Sequence, residues 1–160
     1  MPDGVPIQPM DSRGFFMLPQ RPEDSGYYIY GTPAGGVFQY AHPAMMSLLL
    51  WVEREWEAVE RRQFGIGNIS LADAGRTGEH RSHVDGLQVD VRPLRKDGDH
   101  LPVTWHDSAY DQEATAKLIA LFFSHPSVKN ILFNDNRIPG VRPWPKHDDH
   151  FHVEVKVGKK

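Results

Sequence analysis

The chain has 160 residues, of which 39% are hydrophobic and 24% are charged, and its formal net charge is -3. This length suits one domain with its own core, and no apolar run is long enough to span a membrane. The slightly acidic balance and the absence of a basic stripe argue against nucleic-acid binding, which depends on clustered Lys and Arg. Because cysteine is absent, disulfides and thiolate metal ligands are excluded, and a transition metal would require imidazole and carboxylate ligands.

Residues 1–27 are rich in Pro, Gly and Asp and lack clear periodicity, which predicts an irregular N-terminal arm ahead of one domain over residues 28–160. The arm shows no basic start followed by an apolar run, so no secretory signal is predicted and we expect synthesis in the cytoplasm. From Tyr27 to Tyr40, aromatic and β-branched residues surround several Gly and Pro residues. That pattern indicates short strands around a turn.

Two amphipathic helices follow in the prediction. The first begins at His42-Pro43, ends near Gly65 and buries one stripe formed by Met45, Leu48, Leu49, Val52, Trp56 and Val59. The second runs from Asp111 to Ser124 and buries Ala114, Leu118, Ile119, Phe122 and Phe123. Strand candidates are residues 69–72, 87–92, 130–133 and 151–157. Together these elements predict an α+β fold in which helices flank a small antiparallel β-sheet.

Histidines are concentrated in two short segments, which hold five of the nine: His80 and His83 in one, and His147, His150 and His152 in the other. After the first segment, the alternation from Leu87 to Arg92 is strand-like and places Asp90 on the open face of the sheet. His83 precedes a turn at Gly86 that can fold back towards Asp90. In the second segment, His150 and His152 share one strand face about 6.5 Å apart.

This arrangement predicts a zinc site on the sheet. A catalytic zinc has three protein ligands and an open position, and it activates water for attack on a carbonyl. His83, Asp90 and His152 would supply the three ligands. Neutral His150 would take a proton from the water and pass it to the leaving amine, and His80 or His147 would stabilise the oxyanion.

The four remaining histidines and two aspartates of the second segment have other interpretations. A lone histidine is more often structural than functional, and we assign that reading to His42, His100, His106 and His125. Asp148 and Asp149 are either turn residues or partners that orient an imidazole.

The chain resembles the penicillin-insensitive murein endopeptidases, zinc enzymes of the lysostaphin, D-Ala-D-Ala peptidase and hedgehog-like group. Two blocks carry the resemblance: His80-Arg81-Ser82-His83 with Gly86-Leu87 and Val89-Asp90-Val91, and Val141-Arg142-Pro143-Trp144 with the run from His147 to Val153. A weaker likeness extends the match to roughly residues 27–155. The resemblance implies the same zinc ligands, His150 as the catalytic residue, and His80 and His147 lining the site.

The function that this resemblance implies is hydrolysis of peptide cross-links in bacterial peptidoglycan, with the D-alanyl to diaminopimelate bond preferred. The alternatives are a murein carboxypeptidase, an endopeptidase for another stem-peptide bond, or a non-catalytic zinc-containing module that binds the wall. One departure from the family pattern is Gln88, which stands where the family usually has an aspartate.

A wall substrate and the absence of a predicted export signal together suggest delivery by another route. We expect a secreted antibacterial effector or a phage lysis enzyme that acts in the periplasm or at the wall of a target cell. The alternative is a chain from which a native export signal has been removed. The expected partners are peptidoglycan stem peptides and, for an effector, an immunity protein or a secretion apparatus. Neither nucleic acid nor membrane insertion is expected.

Overall fold

The computed structural model describes residues 10–20, 25–31, 38–70 and 85–157. Two helices and seven strands lie within these ranges: β1 (Phe16–Met17), β2 (Tyr27–Ile29), β3 (Tyr40–Ala41), α1 (Pro43–Val59), β4 (Phe64–Ile66), β5 (Gln88–Arg92), α2 (Gln112–Phe123), β6 (Val128–Leu132) and β7 (Phe151–Val155). No helix in these ranges is long and apolar enough to cross a membrane.

The strands form two sheets, so the expected α+β class is confirmed. Strands β1 and β3 pair with each other, and the other five form a sheet in the order β2-β4-β5-β7-β6. This larger sheet is mixed, whereas the sequence predicted an antiparallel one. Strand β2 runs parallel to β4, because the chain between them crosses over through α1, and the remaining pairings are antiparallel.

Helix α1 begins as predicted but ends earlier. Pro43 occupies the first turn, and the His42 side chain caps it by accepting a hydrogen bond from the Ala44 N–H at 3.0 Å. The predicted end near Gly65 is wrong, since Glu60 turns to an extended conformation with φ -144° and the chain soon enters β4. Val59 was expected in the buried stripe but is 77% exposed.

Helix α2 matches its prediction closely. Asp111 caps its start by accepting a hydrogen bond from the Ala114 N–H at 2.9 Å, and Ser124 follows its last residue. The predicted apolar face is buried apart from Phe123, which lies at the last turn and is exposed.

Three of the four predicted strands correspond to β5, β6 and β7, with shifted ends. Strand β6 begins at Val128 rather than Asn130 because a bulge between these residues breaks the alternation and returns Val128 to a position opposite Val155. The strand predicted over residues 69–72 is not formed at Ile69 and Ser70, which instead bond to the segment around β3, and residues 71–72 lie outside the described ranges. Strand β4 was not predicted.

The core lies between the helices and one face of the larger sheet. Val89 and Val91 of β5 and Phe151 and Val153 of β7 are fully buried there, and the Phe122 ring of α2 packs edge-on against Phe151. Part of the predicted arm belongs to the same domain, because β1 pairs with β3 and Leu18 is fully buried. The opposite face of β5 and β7 remains open for other residues.

Candidate functional site

The open face of the sheet carries two of the three predicted metal-binding residues, Asp90 and His152. Along β5 the buried and partly exposed positions alternate, so Gln88, Asp90 and Arg92 share the open face, as predicted. In the antiparallel pairing of β5 with β7, Asp90 lies directly opposite His152. The register that buries Val89 against Val153 therefore also fixes this carboxylate beside this imidazole.

The atoms of this pair fit two ligands of one zinc ion. Asp90 Oδ1 lies 3.2 Å from His152 Nδ1. Two ligands with bonds of about 2.0–2.1 Å to a tetrahedral zinc are about 3.3 Å apart. The same 3.2 Å separation also fits a hydrogen bond from a protonated Nδ1 to Asp90. Measurement of the metal content therefore distinguishes zinc binding from this hydrogen bond.

The third predicted ligand, His83, lies outside the described residues, as does the predicted catalytic residue His80. Within the described ranges, no group of three His, Asp or Glu side chains is arranged to hold a metal ion. The donor chemistry of Asp90 and His152 suits zinc, and a third ligand would have to come from elsewhere in the chain.

His150 lies at the edge of the same pair. Its Nδ1 donates a hydrogen bond of 2.8 Å to Asp149 Oδ1, because an ionised carboxylate only accepts. In the neutral ring Nε2 then carries no proton, and it lies 3.8 Å from Asp90 Oδ1. The nitrogen nearest to the Asp90–His152 pair is therefore the one that can accept a proton.

His147 is brought to the same place by the loop before β7. Its ring centroid lies 4.8 Å from that of His150 and 5.8 Å from that of His152. Burial lowers the pKa of His147, and the charges of His150 and His152 add to that effect. Neutral His147 uses its one N–H to donate to the Pro145 carbonyl at 2.9 Å, so it could stabilise an oxyanion through Nε2 only after gaining a second proton.

Asp148 fixes the loop that carries His147 and His150. Its Oδ1 accepts hydrogen bonds from Trp105 Nε1 at 3.0 Å and from Asn134 Nδ2 at 2.9 Å. These two bonds hold the pKa of Asp148 below its ordinary value. Of the two neighbouring aspartates left open by the sequence, Asp148 is therefore a loop brace, whereas Asp149 is the one that orients an imidazole.

The four histidines outside the clusters have structural contacts. His42 caps α1, and His125 accepts a hydrogen bond from the Ser127 N–H at 3.2 Å. The ring of His100 stacks on Tyr28, and that of His106 lies against Trp105.

Two residues of the open face were missed by the sequence analysis. Glu154 Oε1 lies 3.8 Å from His152 Nε2, and the alternation through His150 and His152 could have revealed it. The buried Tyr30 hydroxyl has no hydrogen-bond partner in the part of the chain that the structure describes. Burial, followed by the charge of Asp90, raises the pKa of Tyr30 well above its ordinary value. No local pattern marks Tyr30, because the pairing of β2 with β4 is not local.

No model of a known protein family matches this chain. The curated proteins contain no significant match either. Function must therefore be inferred from the residues of the site and from the sequence blocks that contain them.

Proposed function

We propose that this protein is a zinc-dependent peptidase that cleaves peptide cross-links of bacterial peptidoglycan, with the D-alanyl to diaminopimelate bond as its target. The observation that carries the proposal is the convergence of one carboxylate and three imidazoles on the open face of the sheet. Asp90 lies beside His152, while His147 and His150 border the same pair. Ligands and an unliganded base at one place are what metal-assisted hydrolysis of an amide requires.

Each residue has a separate task in this proposal. Asp90 and His152, together with His83, would hold the zinc. When bound, zinc polarises the scissile carbonyl and makes a water molecule nucleophilic near neutral pH. His150 takes the proton of the attacking water at Nε2 and passes it to the leaving nitrogen. Asp149, which accepts the Nδ1 proton of His150, keeps Nε2 directed at the site and stabilises the imidazolium.

His147 and His80 are proposed to line the site. For His147, the hydrogen bond to Pro145 occupies the one proton of the neutral ring. His147 would therefore need a proton on both ring nitrogens to stabilise an oxyanion. In the neutral form it would contribute an acceptor for a substrate N–H.

The choice of peptidoglycan as substrate is supported by the two sequence blocks that resemble murein endopeptidases. The second block, from Val141 to Val153, contains the loop that Asp148 holds in place and the first three residues of β7. An endopeptidase and a carboxypeptidase would use the same ligands and base, since they differ in how the substrate lies beside the metal.

The test is mass analysis of cross-linked muropeptide dimers after incubation with zinc-loaded protein. We expect conversion of dimers to monomers, loss of conversion after treatment with a chelator, and recovery when zinc is restored. His150→Ala should keep zinc but lose about 10²- to 10⁴-fold in rate, whereas His152→Ala should lose both zinc and activity. His125→Ala is the matched control, because His125 is a histidine outside the site.

Three results would contradict the proposal. Dimers that survive incubation with zinc-loaded protein would exclude the endopeptidase, and release of terminal D-alanine alone would establish the carboxypeptidase alternative. Retention of dimers by the protein without cleavage would indicate a wall-binding module.

A further inference from the structure

A charged cavity lies next to the candidate zinc site. It has a volume of about 350 Å³ and is lined by Asn130, Leu132, Arg142, Pro143, Trp144 and Glu154. The strand residues among these belong to the open face, because Leu132 pairs with His152 and Asn130 pairs with Glu154. The cavity therefore adjoins the predicted metal ligand His152 in two directions: Glu154 is two residues further along β7, and Leu132 is opposite His152 on β6.

The outer wall of the cavity is held by hydrogen bonds to β6 and to the two residues that follow it. Arg142 N donates to Ile131 O at 3.0 Å, and Phe133 N donates to Arg142 O at 2.9 Å. Further along, Trp144 N donates to Asn134 Oδ1 at 2.8 Å. These bonds fix the backbone positions from which the Arg142 and Trp144 side chains project beside the cavity.

The two charged side chains of the cavity have opposite signs. No hydrogen bond or ion pair joins the Arg142 guanidinium to any residue in the described ranges, and Arg142 is exposed. On the inner side, the Glu154 side chain is 25% exposed and lies 3.8 Å from His152 Nε2. Trp144, which is 60% exposed, adds an aromatic surface. This set suits a ligand that has a carboxylate, a nitrogen donor and apolar carbon atoms.

We propose that this cavity binds the residue on the leaving side of the scissile amide, recognised by a free carboxylate on the carbon next to the scissile nitrogen. Arg142 pairs with that carboxylate. Glu154 lies at the Nε2 edge of the His152 ring, away from Asp90, and pairs with the ammonium group of the product. The carboxyl group of the residue on the acyl side is consumed in the scissile amide, whereas the residue that supplies the nitrogen keeps its own carboxylate. The positive charge of Arg142 therefore assigns the cavity to the leaving side.

This inference rests on the proposed function and adds a substrate requirement to it. Diaminopimelate meets the requirement in a cross-link, because the carbon attached to the scissile nitrogen carries a free carboxylate. Amidation of that carboxylate removes its charge without changing the scissile bond. Amidated and free forms of one dimer therefore form a matched pair of substrates.

The kinetic test compares these two dimers with wild type, Arg142→Gln and Arg142→Lys. For wild type, amidation should raise KM by about 10- to 100-fold, the range for loss of a charge-assisted hydrogen-bonded pair. Arg142→Gln should raise KM for the free dimer by a similar factor and leave KM for the amidated dimer nearly unchanged. Arg142→Lys should restore part of the loss, and Lys117→Gln, which removes an exposed positive charge from α2 on the other side of the sheet, should have no effect.

A binding measurement separates failure of this inference from failure of the proposed function. Calorimetry with meso-diaminopimelate should detect binding to wild type and a loss of at least tenfold in Arg142→Gln. If wild type cleaves both dimers equally well, the subsite is wrong and the peptidase stands. If wild type cleaves neither, the peptidase is wrong, and the calorimetry alone decides whether the cavity binds an amino acid. If Arg142→Gln does not fold, the comparison of the two dimers with wild type decides.

Discussion

Substitution of Asp149 tests how His150 would be oriented as the base of the proposed mechanism. The carboxylate of Asp149 accepts the Nδ1 proton of His150 at 2.8 Å, and the two side chains are 56% and 23% exposed. At this distance, the attraction between a carboxylate and an imidazolium is about 1.5 kcal/mol in bulk water. Side-chain ordering and salt reduce the net value of such exposed pairs to about 0.2–1 kcal/mol.

We therefore expect a small effect from Asp149→Asn, which removes the charge but keeps an oxygen acceptor for Nδ1. The rate constant kcat/KM for muropeptide cleavage should fall about 1.5- to 5-fold. Asp149→Ala should fall further, because the ring also loses the partner that fixes its tautomer. Both losses should remain well below the effect of His150→Ala, about 10²- to 10⁴-fold.

Parallel measurements of zinc content and thermal unfolding would show that the Asp149 variants differ from wild type only in turnover. If Asp149→Asn were as slow as His150→Ala, Asp149 would have to touch the substrate or the metal itself. If Asp149→Ala retained the full rate, orientation of His150 by Asp149 would play no part in catalysis.

Three further predictions concern the same face of the sheet. Asp90→Ala should lower the zinc content of protein purified without added metal, whereas His150→Ala should keep it, and equal zinc in both would refute the ligand assignment. Gln88→Asp should change the pH profile of cleavage, because it adds a negative charge two residues from Asp90 on the same face of β5. An unchanged profile would refute this prediction. Tyr30→Phe should raise the free energy of unfolding by up to about 1–3 kcal/mol, since it removes an unpaired buried hydroxyl. The control Tyr110→Phe should lower the free energy of unfolding, because the Tyr110 hydroxyl donates a hydrogen bond of 2.6 Å to a carboxylate.

The parts of the fold that sequence predicted well are those with strong local signals. Helix α2 has a capping Asp111 at its start and a regular apolar face, so its ends fall within one residue of the prediction. The end of α1 had no such signal. There Glu60 accepts a hydrogen bond from the Arg62 N–H at 2.8 Å, and this local turn ends the helix although the composition still permits it to continue.

Parts of the fold that depend on distant partners could not be predicted in the same way. Strand β4 contains Gly65, whose hydrogen atom faces Tyr30 and Arg92 at distances that would leave no room for a Cβ. A glycine weakens the strand prediction for a segment that is considered alone. The need for glycine at position 65 becomes visible only when the neighbouring strands are in place. The unpaired Tyr30 hydroxyl was missed for the same cause.

In the candidate site, sequence predicted the shared face of Asp90 and His152 but not the contacts of the surrounding loop. The strand period was sufficient to place both side chains opposite a buried valine face. The different tasks of Asp148 and Asp149 could not be separated, because they depend on Trp105 and on the ring of His150. A run of adjacent polar residues in a loop does not indicate which side chain turns inward.

The register of β5 and β7 explains how the proposed metal site and the charged cavity can be adjacent without sharing residues. Side chains two positions apart on a strand share a face, so one row across the sheet contains Asp90 and His152, and the next contains Gln88 and Glu154. The first row has the proposed metal ligands, and the second reaches the charged cavity. A slip of one residue would move both rows into the core and expose the valines. Burial of the apolar face therefore maintains the position of the proposed ligands relative to the proposed substrate cavity.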